Sequence, residues 1–300
     1  MALTRVRLFG LTIASDVPLP GLLPATVDGA VDVTISCAPV GERANLPIEP
    51  GLSFLVEHGA SIVIDAAASV PPENVRLYLL GSAFGLLLHQ RGLLPLHANA
   101  VDLGGQAIAV AGVSGAGKST LAAWFHDRGF PLIGDDVCVV RRTGERAIAY
   151  PGVPRLRLWG QAIEATGRSR VGLARAYAGD DSLDKWEVPL GQGGAVGEGV
   201  ILAAVYFLED GAEFAILPLT GVAAAEALFA HTYRGEHVEQ IGGGEAHWRG
   251  VLGLLGAVAT FRLVRPFDLS RREELGRILL DHARGQAART SGAGRSAPPG

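Results

Sequence analysis

Residues 112–119 read Gly112-Val113-Ser114-Gly115-Ala116-Gly117-Lys118-Ser119, a match to Gly-x4-Gly-Lys-Ser, with Thr120 next. Such a stretch can hold the phosphates of a nucleoside triphosphate. Its glycines let backbone N–H groups converge on phosphate oxygens. A helix starting at the lysine adds a partial positive charge. The ammonium of Lys118 can reach the β- and γ-phosphates, and the Ser119 hydroxyl can ligate Mg²⁺. Gly112 through Thr120 are therefore the expected phosphate-binding residues.

Asp135 and Asp136 lie between two apolar runs, Phe130-Pro131-Leu132-Ile133 and Val137-Cys138-Val139-Val140. Carboxylates so placed are costly unless a cation compensates them, and Mg²⁺ on a triphosphate would do so. Turns are rich in aspartate, so a solvated turn is the plain alternative. Just beyond a phosphate loop, the metal-linked role is favoured. One carboxylate can hold Mg²⁺, and the other can accept the proton of an attacking hydroxyl. Successive strand residues point in opposite directions, so identical roles need a bend, which Gly134 permits.

The loop needs a strand before it and a helix after it. Gln106 to Ala111 is a short apolar strand, and Lys118 to Arg128 has a helical pattern closed by Gly129. Upstream, Leu96 to Leu103 reads as one strand, and Pro71-Pro72 opens a buried helix to about Gln90. Residues 1–70 alternate with period 2 and form a β-rich unit. Residues 137–150 predict a hairpin. Farther on, Glu164 to Tyr177 has a helical pattern, and Ala178 to Gly199, rich in Gly and Asp, predicts a loop. Strands are expected at 200–208, 213–217 and 260–264, and helices at 223–233 and 246–259. Ser270 with Glu273 forms a capping box for a last helix to 287, before a disordered tail over 288–300.

The chain has 300 residues, 48% of them hydrophobic, enough for a large α/β core. Its net charge of −4 shows no basic stripe for nucleic acid and no polybasic patch for lipid. Two cysteines, Cys37 and Cys138, are far apart and outside metal-type spacing. The apolar runs at 75–88 and 250–261 are shorter than the roughly 20 residues that cross a bilayer. A soluble, cytoplasmic protein is expected, without membrane or nucleic-acid partners. Of 26 basic residues only Lys118 and Lys185 are lysine. A lysine that persists among arginines suggests a place for a compact ammonium.

Leu96-His97-Ala98-Asn99-Ala100-Val101, the loop, and Leu132-Ile133-Gly134-Asp135-Asp136 together resemble the C-terminal catalytic domain of HPr kinase/phosphorylase. The likeness is nearest to the shorter HPr-kinase-like serine kinases of lasso-peptide gene clusters. Weaker matches are Phe9-Gly10-Leu11 with Ser15 to Pro20, Pro154-Arg155-Leu156-Arg157-Leu158-Trp159, and Phe261 to Leu269. The resemblance implies an α/β P-loop core of the HPr kinase/phosphoenolpyruvate carboxykinase type, unlike the parallel RecA-like sheet, over residues 71–287. It implies ATP and Mg²⁺ as cofactors and a peptide or protein hydroxyl as acceptor. It makes Asp135 the general base, Asp136 with Ser119 the metal-site residues, and His97 a catalytic residue beside Lys118 near the γ-phosphate. The Glu/Arg-Gly-Leu-Gly-type segment tied to phosphorolysis in that family is replaced by Pro151-Gly152-Val153-Pro154-Arg155, so an acceptor other than HPr is expected. Arg155, Arg157 and Lys185 can contact phosphates or an acidic acceptor, or serve as ordinary surface charges. A metabolite or carboxykinase-like kinase and a nucleotide sensor without turnover are the competing functions, and a homo-oligomer stays open.

Overall fold

The computed structural model describes residues 3–25, 29–179, 182–191, 194–195 and 197–293. Seven strands come first: β1 Thr4–Leu8, β2 Leu11–Ser15, β3 Leu23–Pro24, β4 Val33–Cys37, β5 Leu46–Glu49, β6 Leu52–Glu57 and β7 Ser61–Ala66. They form one sheet in the order β3-β1-β2-β4-β7-β6-β5. The period-2 alternation turns Val33, Ile35, Phe54, Val56, Ile62 and Ile64 to a single face. That face packs on Leu79, Phe84 and Leu87 of the helix that follows. Burying each such side chain stabilises the fold by about 1.5–3 kcal/mol.

The helix has three parts: α1 Pro72–Tyr78, a π-helical stretch Leu79–Ala83, and α2 Phe84–Gln90. Pro72 fits the first turn because its missing N–H has no helical partner there. Gly81 and Gly85 are one turn apart, and a Cβ at either would come to 3.0 Å from Tyr233 Oη or Arg234 Cγ. These glycines let the 233–234 segment lie against the helix, and that segment flanks the site described below.

The second sheet is mixed. Its strands are β8 Leu94–Leu96, β9 Ala98–Asp102, β10 Gln106–Ala111, β11 Leu132–Gly134, β12 Cys138–Thr143 and β13 Arg146–Tyr150. After the smaller sheet's β14 Arg155–Trp159, β15 Ala174–Arg175 and β16 Lys185–Pro189 come β17 Val200–Asp210, β18 Ala215–Pro218 and β19 Ala259–Arg265. The order is β11-β9-β10-β17-β13-β12-β8, with β19 joining β17 to β18. Strand β10 runs antiparallel to β9 and parallel to β17. Ile108 and Val110 face one side of this sheet, against α3 (Lys118–His126). Ala107, Ala109 and Ala111 face the other, in the core shared with Leu228 of α5 (Gly221–Ala230) and Val251 and Leu254 of α7 (Gly244–Leu255). Between β14 and β15 lies α4 (Gly160–Ala165), and α6 (Glu236–Gln240) precedes α7. The fold is mixed α/β with several sheets.

Some elements differ from the sequence expectation. The single strand expected at 96–103 is broken at His97, whose N–H donates to His231 O, so β8 pairs with β12 while β9 pairs with β10 and β11. The helix expected over 164–177 lies earlier, at 160–165. It stops where Thr166 Oγ1 turns back to the carbonyls of Ala162 (2.8 Å) and Ile163 (3.0 Å) and Gly167 takes φ +71°. The expected loop at 178–199 contains β16, because Trp186 and Val188 alternate into the core while Lys185 and Glu187 take the other face. The apolar run 250–261 is helix to Leu255 and strand from Ala259, with Gly256 opening the turn between them. Asp268, rather than Ser270, makes the last cap: it accepts from Ser270 N–H and opens a turn before α8 (Arg272–Ala293). Glu273, expected in that cap, pairs with Arg128 at 2.7 Å. Helix α8 continues past 288, where a tail was expected to begin, and 294–300 lie outside the described residues. Among the described residues no helix is long and apolar enough to cross a membrane.

Candidate active site

The loop 112–117 leaves the buried end of β10 and enters α3 directly. Gly115 and Gly117 take φ of +82° and +90°, a region that costs an L side chain dearly. No side chain caps α3, so its first N–H groups keep their donors for a ligand. Behind the loop, Arg265 at the end of β19 donates to Ala116 O and pairs with Asp210 Oδ1. This buried guanidinium was not anticipated from the sequence. It adds a positive charge under the loop.

Lys118 is buried, and its Nζ donates to the carbonyls of Gly112 (2.8 Å) and Val113 (3.1 Å). It also lies 3.2 Å from His97 Nε2, while His97 Nδ1 is 3.0 Å from Asp136 O. A carbonyl only accepts and an ammonium only donates. These partners assign a neutral imidazole with its proton on Nδ1. Burial and then the Lys118 charge hold His97 below its ordinary pKa. Burial also lowers Lys118, against the pull of Asp136. The break in the strand at His97 thus places the ring between the loop lysine and the aspartate pair.

Gly134 makes the bend before that pair, since a Cβ there would meet Val137 O at 2.6 Å. Asp136 sits at φ +67°, which aspartate tolerates better than most residues. The bend separates the two carboxylates. Asp135 Oδ1 accepts from Ser119 Oγ (2.9 Å) and Asn99 Nδ2 (2.7 Å), and its Oδ2 accepts from the Arg157 N–H (2.5 Å). Burial, and then the neighbouring Asp136 charge, push the Asp135 carboxyl up. Burial also raises Asp136, but the Lys185 and then the Arg157 charge outweigh it, and the carboxyl ends below its ordinary value. Asn99 Oδ1 accepts from the Asp136 N–H at 3.2 Å, so one buried amide ties both aspartates to β9. Asn99 entered the sequence reading only through the resemblance. Its signal was a polar residue among apolar neighbours, two places after His97.

The third wall is the small sheet. Pairing of β14 with β16 sets Arg157 opposite Glu187 and Trp159 opposite Lys185. Glu187 Oε1 lies 2.6 Å from Arg155 Nη1 and 3.3 Å from Arg157 Nε. Lys185 Nζ donates to Asp136 Oδ2 at 3.3 Å, and Arg157 Nη1 is 3.9 Å away from the same oxygen. These walls enclose a cavity of about 320 Å³. His97, Ser114, Gly115, Gly117, Lys118, Ser119, Thr120, Asp136, Arg157 and Lys185 give it a polar lining, and Leu158, Trp159, Ala162, Phe267 and Leu269 an apolar one. Tyr233 lines it too, with its ring centroid 6.0 Å from that of His97. Asp135, Gly112, Val113 and Ala116 are not part of this lining. Val113 projects outward, and Ala116 is buried.

Among the described residues no group of three or more His, Cys, Asp or Glu is placed to hold a metal alone. Mg²⁺ commonly takes one or two carboxylates plus substrate phosphates, and Ser119 Oγ beside Asp135 Oδ1 is a donor pair of that kind. A divalent cation would also favour the ionised form of a carboxyl that burial has pushed up. The residues therefore fit the ion, provided that phosphates complete its shell.

No protein-family model matches the chain. Over 61 residues it is 39% identical to HPr kinase/phosphorylase of Chlorobium limicola, a stretch that covers 20% of this chain and 17% of that relative's length. Among solved structures, the Hpr(Ser) kinase/phosphatase from Coxiella burnetii aligns with a TM-score of 0.41 and 15% identity, over 66% of this chain and 93% of that one. The chain is thus similar in part to HPr kinase/phosphorylase, the family its own residues already resemble.

Proposed function

We propose that the chain is a Mg²⁺- and ATP-dependent kinase that transfers the γ-phosphoryl group to a serine or threonine hydroxyl of a peptide or protein. The observation that carries this reading is the 2.9 Å hydrogen bond from Ser119 Oγ to Asp135, which seats the start of the loop's helix on the aspartate pair. Residues 71–287 form the catalytic unit, with 1–70 as an appended β-rich unit. The triphosphate lies along the loop and the α3 N–H groups, and Lys118 exchanges its carbonyl partners for phosphate oxygens. The apolar lining at Trp159, Ala162, Phe267 and Leu269 receives the base.

The geometry supports dividing the aspartates the other way from the family resemblance. Asp135, beneath Ser119 and outside the cavity lining, would hold Mg²⁺ together with Ser119. When bound, that ion supplies neutralisation of charge on the β- and γ-phosphates. Asp136 faces the cavity and takes the proton from the acceptor hydroxyl. A carboxylate with lowered pKa is a weak base, which suits a loose transition state in which positioning matters most. His97, neutral and bonded to both Lys118 and the Asp136 backbone, keeps the ammonium and the base in fixed relation. The test is to incubate the chain with γ-labelled ATP, Mg²⁺, and either HPr or serine and threonine peptides. Label should appear on an acceptor hydroxyl and vanish with Asp136→Asn. Transfer that survives both Asp135→Asn and Asp136→Asn sinks the proposal.

A further inference from the structure

Two lysines occur in 300 residues, and 24 of the 26 basic side chains are arginine. The fold brings both lysines to one cavity, although they are 67 positions apart in the chain. Lys118 comes from the loop. Lys185 comes from β16, where its register opposite Trp159 fixes which way it faces. Lys185 makes a hydrogen bond to Asp136 Oδ2 at 3.3 Å, and an ammonium has three donors. Arginine would present a wider planar fork, whereas an ammonium is a compact point charge that fits between a carboxylate and a phosphoryl oxygen. Of the neighbouring cations, Arg155 is turned to Glu187, while Arg157 shares Glu187 and lies 3.9 Å from Asp136 Oδ2, farther than Lys185.

We propose that Lys185 is a second phosphate-directed ammonium, facing the γ-phosphoryl group from the acceptor side while it holds Asp136 in line. This rests on the kinase reading above. In the step itself, the acceptor oxygen bonds to the γ-phosphorus as the bond to the β–γ bridging oxygen breaks. ADP leaves with that electron pair, and the hydroxyl proton passes to Asp136. Lys185 keeps its three protons and stays with the phosphoryl oxygens throughout. Lys118 contacts the β-phosphate that ADP and ATP share as well as the γ-phosphate, whereas Lys185 meets the γ-phosphoryl group alone.

Having only two lysines makes the test direct. The full chain is acetylated with an N-hydroxysuccinimidyl ester, and each lysine is followed by mass spectrometry with no nucleotide, with Mg²⁺·ADP, and with a non-hydrolysable Mg²⁺·ATP analogue. The expected result is Lys118 protected by both nucleotides and Lys185 by the triphosphate alone. Labelling of Lys185 that ignores nucleotide while Lys118 is protected overturns the proposal, as does equal protection by ADP. If neither lysine is protected, the ATP-binding reading fails as well, so the two failures are distinguishable. In a second measurement, Lys185→Met should weaken binding of the triphosphate about tenfold and leave ADP unchanged, with Lys185→Arg recovering part of the loss. Equal affinity of wild type and Lys185→Met for the triphosphate contradicts it.

Discussion

The cavity has two walls of different construction. The wall at 112–120 is one unbroken stretch, in which glycine backbone, helix start, lysine and serine all follow from local sequence. The wall at β14 and β16 has no such stretch. Its charges, Arg155, Arg157, Lys185 and Glu187, become neighbours only through the register of two strands some 30 residues apart. On the proposed kinase reading, the first wall would hold the donor nucleotide and the second would face the acceptor.

Removing Lys118 should be the most damaging change. Lys118→Met is expected to lower phosphoryl transfer about a thousandfold, measured as kcat/KM with γ-labelled ATP. If Lys185→Met proved more damaging, the acceptor wall rather than the loop would be the centre of the chemistry. The two aspartates come next. Both Asp135→Asn and Asp136→Asn should reduce transfer by about a hundredfold or more. Calorimetry should separate them: Asp135→Asn loses the Mg²⁺ dependence of ATP binding, and Asp136→Asn keeps it. The opposite pattern would restore the division that the resemblance implied.

Smaller effects are expected from the supports. Glu187→Gln releases Arg155 and Arg157 and should slow transfer roughly tenfold, with little change in nucleotide affinity. A large loss of ATP affinity would instead place those arginines on the donor side. Gly117→Ala is the mildest. A Cβ there meets nothing within 4 Å, so the cost is that of φ +90° alone. That is about 1–2 kcal/mol, to be read as a shift of the melting temperature.

What could be read beforehand follows the same contrast. The strand, loop and helix at 106–128 were legible because glycine and lysine spacing acts locally, as were Asp135 and Asp136 between apolar runs. His97 needed the resemblance, since a lone histidine beside apolar residues is an ordinary core residue. The structure adds its position, between the loop lysine and the aspartate pair, set by the broken strand and the His97 N–H bond to His231 O. Arg265 was not legible, because its partners Ala116 and Asp210 are remote in sequence. Strand β16 was hidden by the Gly- and Asp-rich residues around it. The Lys-Trp-Glu-Val alternation is a period-2 signal only four residues long. The misplaced helix at 164–177 shows the reverse error, a pattern overridden by Thr166 and Gly167.

On the kinase reading, Ser119 and Asp135 together form the metal side of an ATP site. Titration of ATP into the full chain, with Mg²⁺ and then with EDTA, tests it most directly in wild type and Asp135→Asn. One ATP should bind per chain, markedly tighter with Mg²⁺ in the wild type and equally weak under both conditions in Asp135→Asn. ATP binding that is indifferent to Mg²⁺ in the wild type, or whose Mg²⁺ dependence survives Asp135→Asn, would contradict it.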